Sequence, residues 1–313
     1  MEGEIIGFQP VRVILVGLGG IGSKLADELA RYMMYEPKAP KELLFVDGDV
    51  YSQSNLDRQS VLESDVGSPK AKVWAEGIAQ EFSKLSVAGL CGYVVSSSSK
   101  RKDNNVVLVE NLPMEGAITI LGLDNHKSRK MFSDHFSTVQ NGVLINGGNK
   151  TEGEGSVITS VRVGGEWVLP PIDAFHPEIA DPQDKNPGEL SCAELAKIKG
   201  GTQIIWANQM VAAMIGNEVH CVVQGEWEKL RARGEVYFDI TANAAVPRQR
   251  FVSGKEVEIA EETLVVEDAS PKAGKKIAKK KGSSKAVKAT PKAAKAVVLE
   301  ELKIVDDRGP QSK

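Results

Sequence analysis

The residues of this 313-residue chain that could do chemistry fall into four groups. Gly17-x-Gly19-x-x-Gly22 lies between the β-branched run Val11 to Val16 and a helical apolar repeat made by Leu25, Ala26, Leu29, Ala30 and Met33. Glycines at such a turn let backbone approach a phosphate, and the following helix N-terminus favours its negative charge. Asp47 ends a second apolar run, Leu43 to Val46, and can accept hydrogen bonds from ribose hydroxyls. Asn55, Arg58, Gln59 and Lys70 come next, after Asp49. Arg58 can fork across phosphate oxygens and Lys70 can supply a point charge. The third group is Asp124 and Asn125 at the end of the run Ala117 to Leu123, with Arg129 four residues beyond Asn125. The fourth is a thiol, Cys192, in Glu189-Leu-Ser-Cys-Ala-Glu194.

The elements that must position these groups follow from periodicity. Strands are expected at 11–16, 43–46, 92–95, 117–123 and 143–146, and helices at 23–34, 70–84, 105–112 and 127–139. Their alternation implies a doubly wound, mainly parallel sheet of the Rossmann-like kind, which puts Gly17, Asp47 and Asp124 along one carboxyl-terminal edge. From Gly147 the pattern changes. Ser156 to Val163 and Glu166 to Leu169, joined by Gly164-Gly165, read as an antiparallel hairpin. Pro-rich Pro170 to Leu190 reads as a surface crossover, and the whole connection runs to about residue 201. An apolar helix follows from Thr202 to about Val223, and strands are expected at 236–240 and 247–252. Trp167, Trp206 and Trp227 read as packing residues, and Cys91 and Cys221 as core thiols.

Val46-Asp-Gly-Asp-Val-Tyr-Ser-Gln-Ser-Asn-Leu-Asp-Arg-Gln59, Gly67-Ser-Pro-Lys70 and Asp124-Asn125 with Arg129 resemble the ubiquitin-activating family, which includes the ThiF and MoeB adenylyltransferases. The resemblance covers roughly residues 11–223 and implies an ATP- and magnesium-dependent enzyme. A dinucleotide dehydrogenase has only a pyrophosphate to neutralise, which leaves the polar cluster after Asp47 without a task. In the family reading Gly17, Gly19 and Gly22 shape the ATP site and Asp47 holds the ribose. Asn55, Arg58, Gln59 and Lys70 hold phosphates, Asp124 positions Mg²⁺ with help from Asp49, and Cys192 takes the acyl group as a thioester. The implied substrate is the C-terminal carboxylate of a ubiquitin-like or sulfur-carrier protein ending in a Gly-Gly type tail. A homodimer and a downstream conjugation partner are implied as well. Two alternatives stay open: adenylation of a small-molecule or tRNA-nucleoside carboxylate without a thioester, and a non-catalytic ATP-binding scaffold. The paired CxxC zinc element of many relatives is absent here.

Composition narrows the setting. The formal net charge is −3, with 42% hydrophobic and 26% charged residues, the profile of a globular protein. The average conceals a split, because residues 270–298 carry ten lysines and no acid. The first 269 residues then hold 26 basic against 38 acidic side chains, a net charge of −12. An adenylation domain is expected over residues 1–255 and a charged, low-complexity, disordered tail over 256–313. Such lysine repeats bind nucleic acid nonspecifically through its phosphates. No apolar run approaches the roughly 18–20 residues of a membrane span, and Met1-Glu2-Gly3-Glu4 does not begin a signal peptide, so a cytoplasmic address is expected. The lysine segment lies outside every motif named above. Truncation after Asp268 is therefore expected to leave pyrophosphate exchange into ATP intact, and loss of exchange would place the tail in the active machinery.

Overall fold

A computed structural model describes residues 8–56, 59–99, 105–149, 153–189 and 205–248. Its centre is a parallel sheet. β1 (Arg12–Val16) lies between β2 (Glu42–Asp47) and β6 (Ala117–Leu121), with Val13 opposite Leu43 on one side and Ile118 on the other. β3 (Ser86–Cys91) flanks β2, and β7 (Gly142–Asn149) flanks β6. Parallel strands are covered on both faces, which is why these runs are apolar without alternation. Val13 and Leu15 face one core with α1 (Gly20–Tyr35), α2 (Lys70–Glu81) and α5 (Ile205–Gln224). Ile14 and Val16 face a second core with Phe132 and Phe136 of α3 (His126–Phe136). Each such side chain, fully buried, contributes roughly 1.5–3 kcal/mol.

Beyond β7 the sheet turns antiparallel. β8 (Glu154–Val163) pairs with β7 and with β9 (Glu166–Leu169). It also pairs with β10 (Glu235–Asp239), and β10 pairs in turn with edge strand β11 (Ala244–Arg248). The resulting order is β11-β10-β8-β7-β6-β1-β2-β3. The expected mixed sheet, parallel first and antiparallel toward the C-terminus, is the one observed. α6 (Trp227–Arg233) links α5 to β10.

Four expectations need correction. Residues 105–112 do not form a helix: β5 (Val106–Leu108) pairs in parallel with β4 (Tyr93–Val95), followed by a single 3-10 turn at Val109–Asn111. β-Branched Val106 and Val107 suit a pleated ladder, and eight residues are few for a self-standing helix. β3 was not expected at all, because it lacks a fully buried face and has small Ala88 and Gly89 at its centre, which leaves little apolar signal in its sequence. The Pro170–Glu189 crossover is not merely a surface connection. It carries α4 (Pro177–Ala180) and a 3-10 turn at Pro187–Glu189, and it buries Ile172, His176, Ile179 and Asn186. Finally, Trp206 is 72% exposed and does not pack into the core, whereas Trp227 meets Phe8 and Trp167 stacks under Arg162.

At the switch point between β1 and β6 three backbones touch. Gly17 adopts φ +87°, and a Cβ there would sit 2.7 Å from the Gly122 carbonyl oxygen. A Cβ on Gly22 would sit 1.9 Å from the carbonyl oxygen of Gly17, with only backbone able to yield. Gly19 has open space around it. Gly22→Ala is therefore expected to destabilise by at least about 1–3 kcal/mol, while Gly19→Ala leaves the thermal midpoint nearly unchanged. Equal midpoints for the two variants in calorimetry would contradict this packing.

Candidate functional site

A cleft of about 1730 Å³ opens along the carboxyl-terminal edge of the parallel strands, where open α/β sheets place ligands. Its inner end is built from the turn after β1 and the end of β2. Both Asp47 carboxylate oxygens are engaged: Leu18 N–H donates to one at 2.5 Å and Asp49 N–H to the other at 2.7 Å. Asp47 thereby ties the glycine turn to β2. Burial pushes its carboxyl up to about 6, Lys70 pulls the other way, and Asp49 adds to the rise.

Lys70 opens α2 with its side chain only 5% exposed. Its ammonium pairs with Asp49 Oδ2 at 2.9 Å and lies 5.8 Å from the centre of the Tyr51 ring. The Tyr93 hydroxyl donates to Asp49 Oδ1 at 2.5 Å, and the Tyr93 ring occupies the space a Cβ on Gly48 would need. Asp49 thus holds Lys70. Gln59 lines the cleft 7% exposed, with its Oε1 unpartnered. Asn55 is not brought to the cleft, because its Oδ1 accepts from Ser52 N–H at 3.0 Å and closes its own 3-10 turn. Gly17 and Gly19 line the cleft, while Gly22 packs behind them. Arg58 and Cys192 lie outside the described residues.

At the middle of the cleft, Asp124 is exposed and has no cation partner among the described residues. Asn125 Oδ1 accepts from Ser128 N–H at 2.8 Å and caps α3. Arg129 lies flat against β7: a Cβ on Gly148 would sit 2.8 Å from its Nη2. That Nη2 donates to Leu123 O at 2.7 Å. Burial is the dominant influence on Arg129 and lowers its pKa, while the charges of Asp124, Asp184 and Glu178 act against it.

The crossover roofs the outer half with three anchors. Asp184 accepts from His126 N–H at 2.6 Å and Lys127 N–H at 2.8 Å, filling the α3 N-terminus. Asn186 donates to Val94 O at 2.9 Å. His176 is held between Glu178, 2.9 Å from its Nδ1, and Glu235 of β10 at its Nε2. Tyr93, Asn146, His176, Asp184 and Asn186 were not anticipated as site residues. One signal was available, since Asn146 ends an apolar run before Gly147-Gly148 on the same sheet edge as Asp47 and Asp124.

Residues 8–255 match the ThiF family. The chain belongs to that family. A curated relative of this ThiF-family chain is the NEDD8-activating enzyme E1 catalytic subunit of Arabidopsis thaliana, 29% identical over 121 residues. The match covers 38% of this chain and 23% of that relative. Among solved structures, Escherichia coli MccB with ATP superposes with a TM-score of 0.51 at 18% identity, over 77% of this chain and 64% of that one. The microcin C7 biosynthetic enzyme MccB in complex with N-formylated MccA superposes with a TM-score of 0.55 at 18% identity, over 77% and 65%. At this identity the likeness is one of fold. This chain spans about two thirds of the MccB chains and under a quarter of the E1 subunit. Among the described residues no helix is long and apolar enough to cross a membrane.

The His176 clasp yields a signed pH dependence. Burial works against the imidazolium, but Glu235 and Glu178 outweigh it and raise the pKa above the ordinary 6.5. The stability this clasp adds is full below the unfolded-state pKa and is lost as pH rises through the higher folded-state value. The thermal midpoint of wild type minus that of His176→Gln is expected to shrink as pH climbs from about 6 to 9. A difference that grows over this range would mean the imidazole is neutral in the fold.

Proposed function

We propose that this ThiF-family chain is an ATP-dependent adenylyltransferase that activates the C-terminal carboxylate of a ubiquitin-like or sulfur-carrier protein. The observation that carries the reading is the buried Lys70 ammonium, paired with the half-exposed Asp49 beside the Asp47-anchored glycine turn and facing Asp124 across one cleft. A buried ammonium this close to a phosphate-type turn has a use with a triphosphate and none with an uncharged ligand. The ATP and MccA complexes of MccB and the NEDD8-activating relative support the same reading.

In this mechanism the glycine turn cradles phosphate through backbone N–H groups and Asp47 meets the ribose. Lys70 shifts its contact from Asp49 toward the phosphates, and the Gln59 amide turns so that its Nε2 donates to a phosphate oxygen. Arg58 belongs to the same phosphate set. A carboxylate oxygen of the substrate attacks the α-phosphorus, a P–O bond forms, the bond to the β-phosphate oxygen breaks, and pyrophosphate leaves with that electron pair. The residues fit a magnesium ion: one unpaired carboxylate, Asp124, at a phosphate site is a donor set Mg²⁺ accepts, its other ligands being phosphate and water oxygens. When bound, the ion neutralises phosphate charge. The Cys192 thiolate, its proton lost to solvent, then attacks the acyl carbonyl; a C–S bond forms, the C–O bond to the phosphate breaks, and AMP leaves with that electron pair. In the dimeric form of the proposal the exposed side of α5, including Trp206, meets a second copy; sedimentation as a monomer at micromolar concentration would remove that element.

Lys70→Ala and Asp124→Ala are each expected to cut substrate-dependent pyrophosphate exchange into ATP by about 10²–10³-fold. Exchange surviving both changes would sink the assignment. Cys192→Ala is expected to keep exchange and lose a reductant-sensitive protein adduct on a denaturing gel. An adduct that persists would remove the thioester step.

A further inference from the structure

The floor of the cleft between Asp124 and the outer arm contains polar atoms that the steps above leave unused. Asn146 is 2% exposed, lines the cleft, and its Oδ1 has no hydrogen-bond partner. Among the described residues no hydrogen bond engages its Nδ2 either. Leaving a buried carbonyl oxygen unpaired costs about 1–3 kcal/mol, a penalty that a packed apolar side chain would avoid. Beside it, Arg129 keeps a buried Nε with no acceptor and, among the described residues, has no carboxylate within ion-pair distance. Its Nη1 has only a 3.4 Å contact with His126 Nδ1.

β7 makes these two groups neighbours. Gly147 faces α5, where a Cβ would strike Val211 and Ile215, so Asn146 and Gly148 share the opposite, cleft-side face. Gly148 is the residue against which the Arg129 guanidinium lies. The cleft floor thus offers guanidinium donors and, next to them, an amide whose buried oxygen is in want of a donor. A lone carboxylate satisfies only the first. A peptide C-terminus satisfies both, because its carboxylate meets the guanidinium while the N–H of its last residue reaches the Asn146 oxygen. A half-turn of the Asn146 amide about its final torsion exchanges oxygen and nitrogen, so the carbonyl can be presented to the cleft.

We propose that Arg129 and Asn146 form the seat of the substrate terminus, selecting a polypeptide carboxylate over a simple organic acid. This rests on the adenylation reading for its purpose, but its binding content stands apart from catalysis. Arg129 and Asn146 touch the substrate, whereas Gly148 acts only by leaving room for Arg129.

The test uses the full chain with saturating ATP and a fluorescein-labelled decapeptide ending in Gly-Gly, as the free acid and as the C-terminal amide. Wild type is expected to bind the acid at least tenfold more tightly than the amide. Asn146→Leu removes the unpaired oxygen, so its thermal midpoint should stay level or rise while its affinity for the acid falls about tenfold and its affinity for ATP is unchanged. Arg129→Gln should erase the acid-over-amide preference; Asn146→Leu keeps the test open if that variant fails to fold. Equal binding of acid and amide, no binding of either, unchanged peptide affinity in Asn146→Leu, or affinity lost together with thermal stability would each overturn the seat. Asn146-dependent binding without pyrophosphate exchange would instead retain the seat and remove the adenylation reading. Exchange undiminished in Asn146→Leu would do the reverse.

Discussion

Backbone-to-backbone contact at the switch point sets the terms for everything around it. Gly17, Gly22 and Gly122 bring the end of β1, the start of α1 and the end of β6 closer together than any side chain would permit. Asp47 then fixes that junction to β2 by accepting from Leu18 N–H. With these four residues in place, the turn, the acid and the strand ends that follow have little freedom in where they point. Lys70, Asp124 and Arg129 enter a space whose shape is already decided, and the two cores on either side of the sheet hold the frame rigid.

The halves of the cleft are made by different means. The inner half relies on parallel strand ends and the backbone groups exposed there. The outer half is a wall of antiparallel β8, β10 and β11, roofed by a crossover that is fastened at His176, Asp184 and Asn186. Those anchors reach three separate elements, β10, α3 and β4, so the roof couples the wall to the nucleotide end through side chains and not through the sheet.

Legibility in the sequence followed the range of the interactions. Strands buried on both faces, the glycine turn and Asp47 are local patterns, and they are where the pattern placed them. For Asn55 the motif position says nothing about which way the side chain turns, and the turn around Ser52 claims its oxygen. Strand β3 carries small residues and no fully buried face, and β5 is too short for periodicity to distinguish it. Tyr93, His176 and Asn186 owe their places to partners 44, 59 and 92 residues away in the chain, which no local window contains. Asn146 was within reach, since it repeats the strand-end position of Asp47 and Asp124, but an amide draws less notice than an acid.

The long ladder from β8 to β10 has a meaning in time as well as in space. Val157 pairs with Val236 across about eighty residues of intervening chain, whereas β1, β2, β6 and β7 come from the first half of the sequence. Contacts of such separation close late, and synthesis delivers the N-terminal partners first. During translation the inner end of the cleft can be complete while the strand that walls its outer half is still unmade. For that interval the edge of β8 stands open, and the nascent chain is most exposed to mispairing along that flank of the cleft.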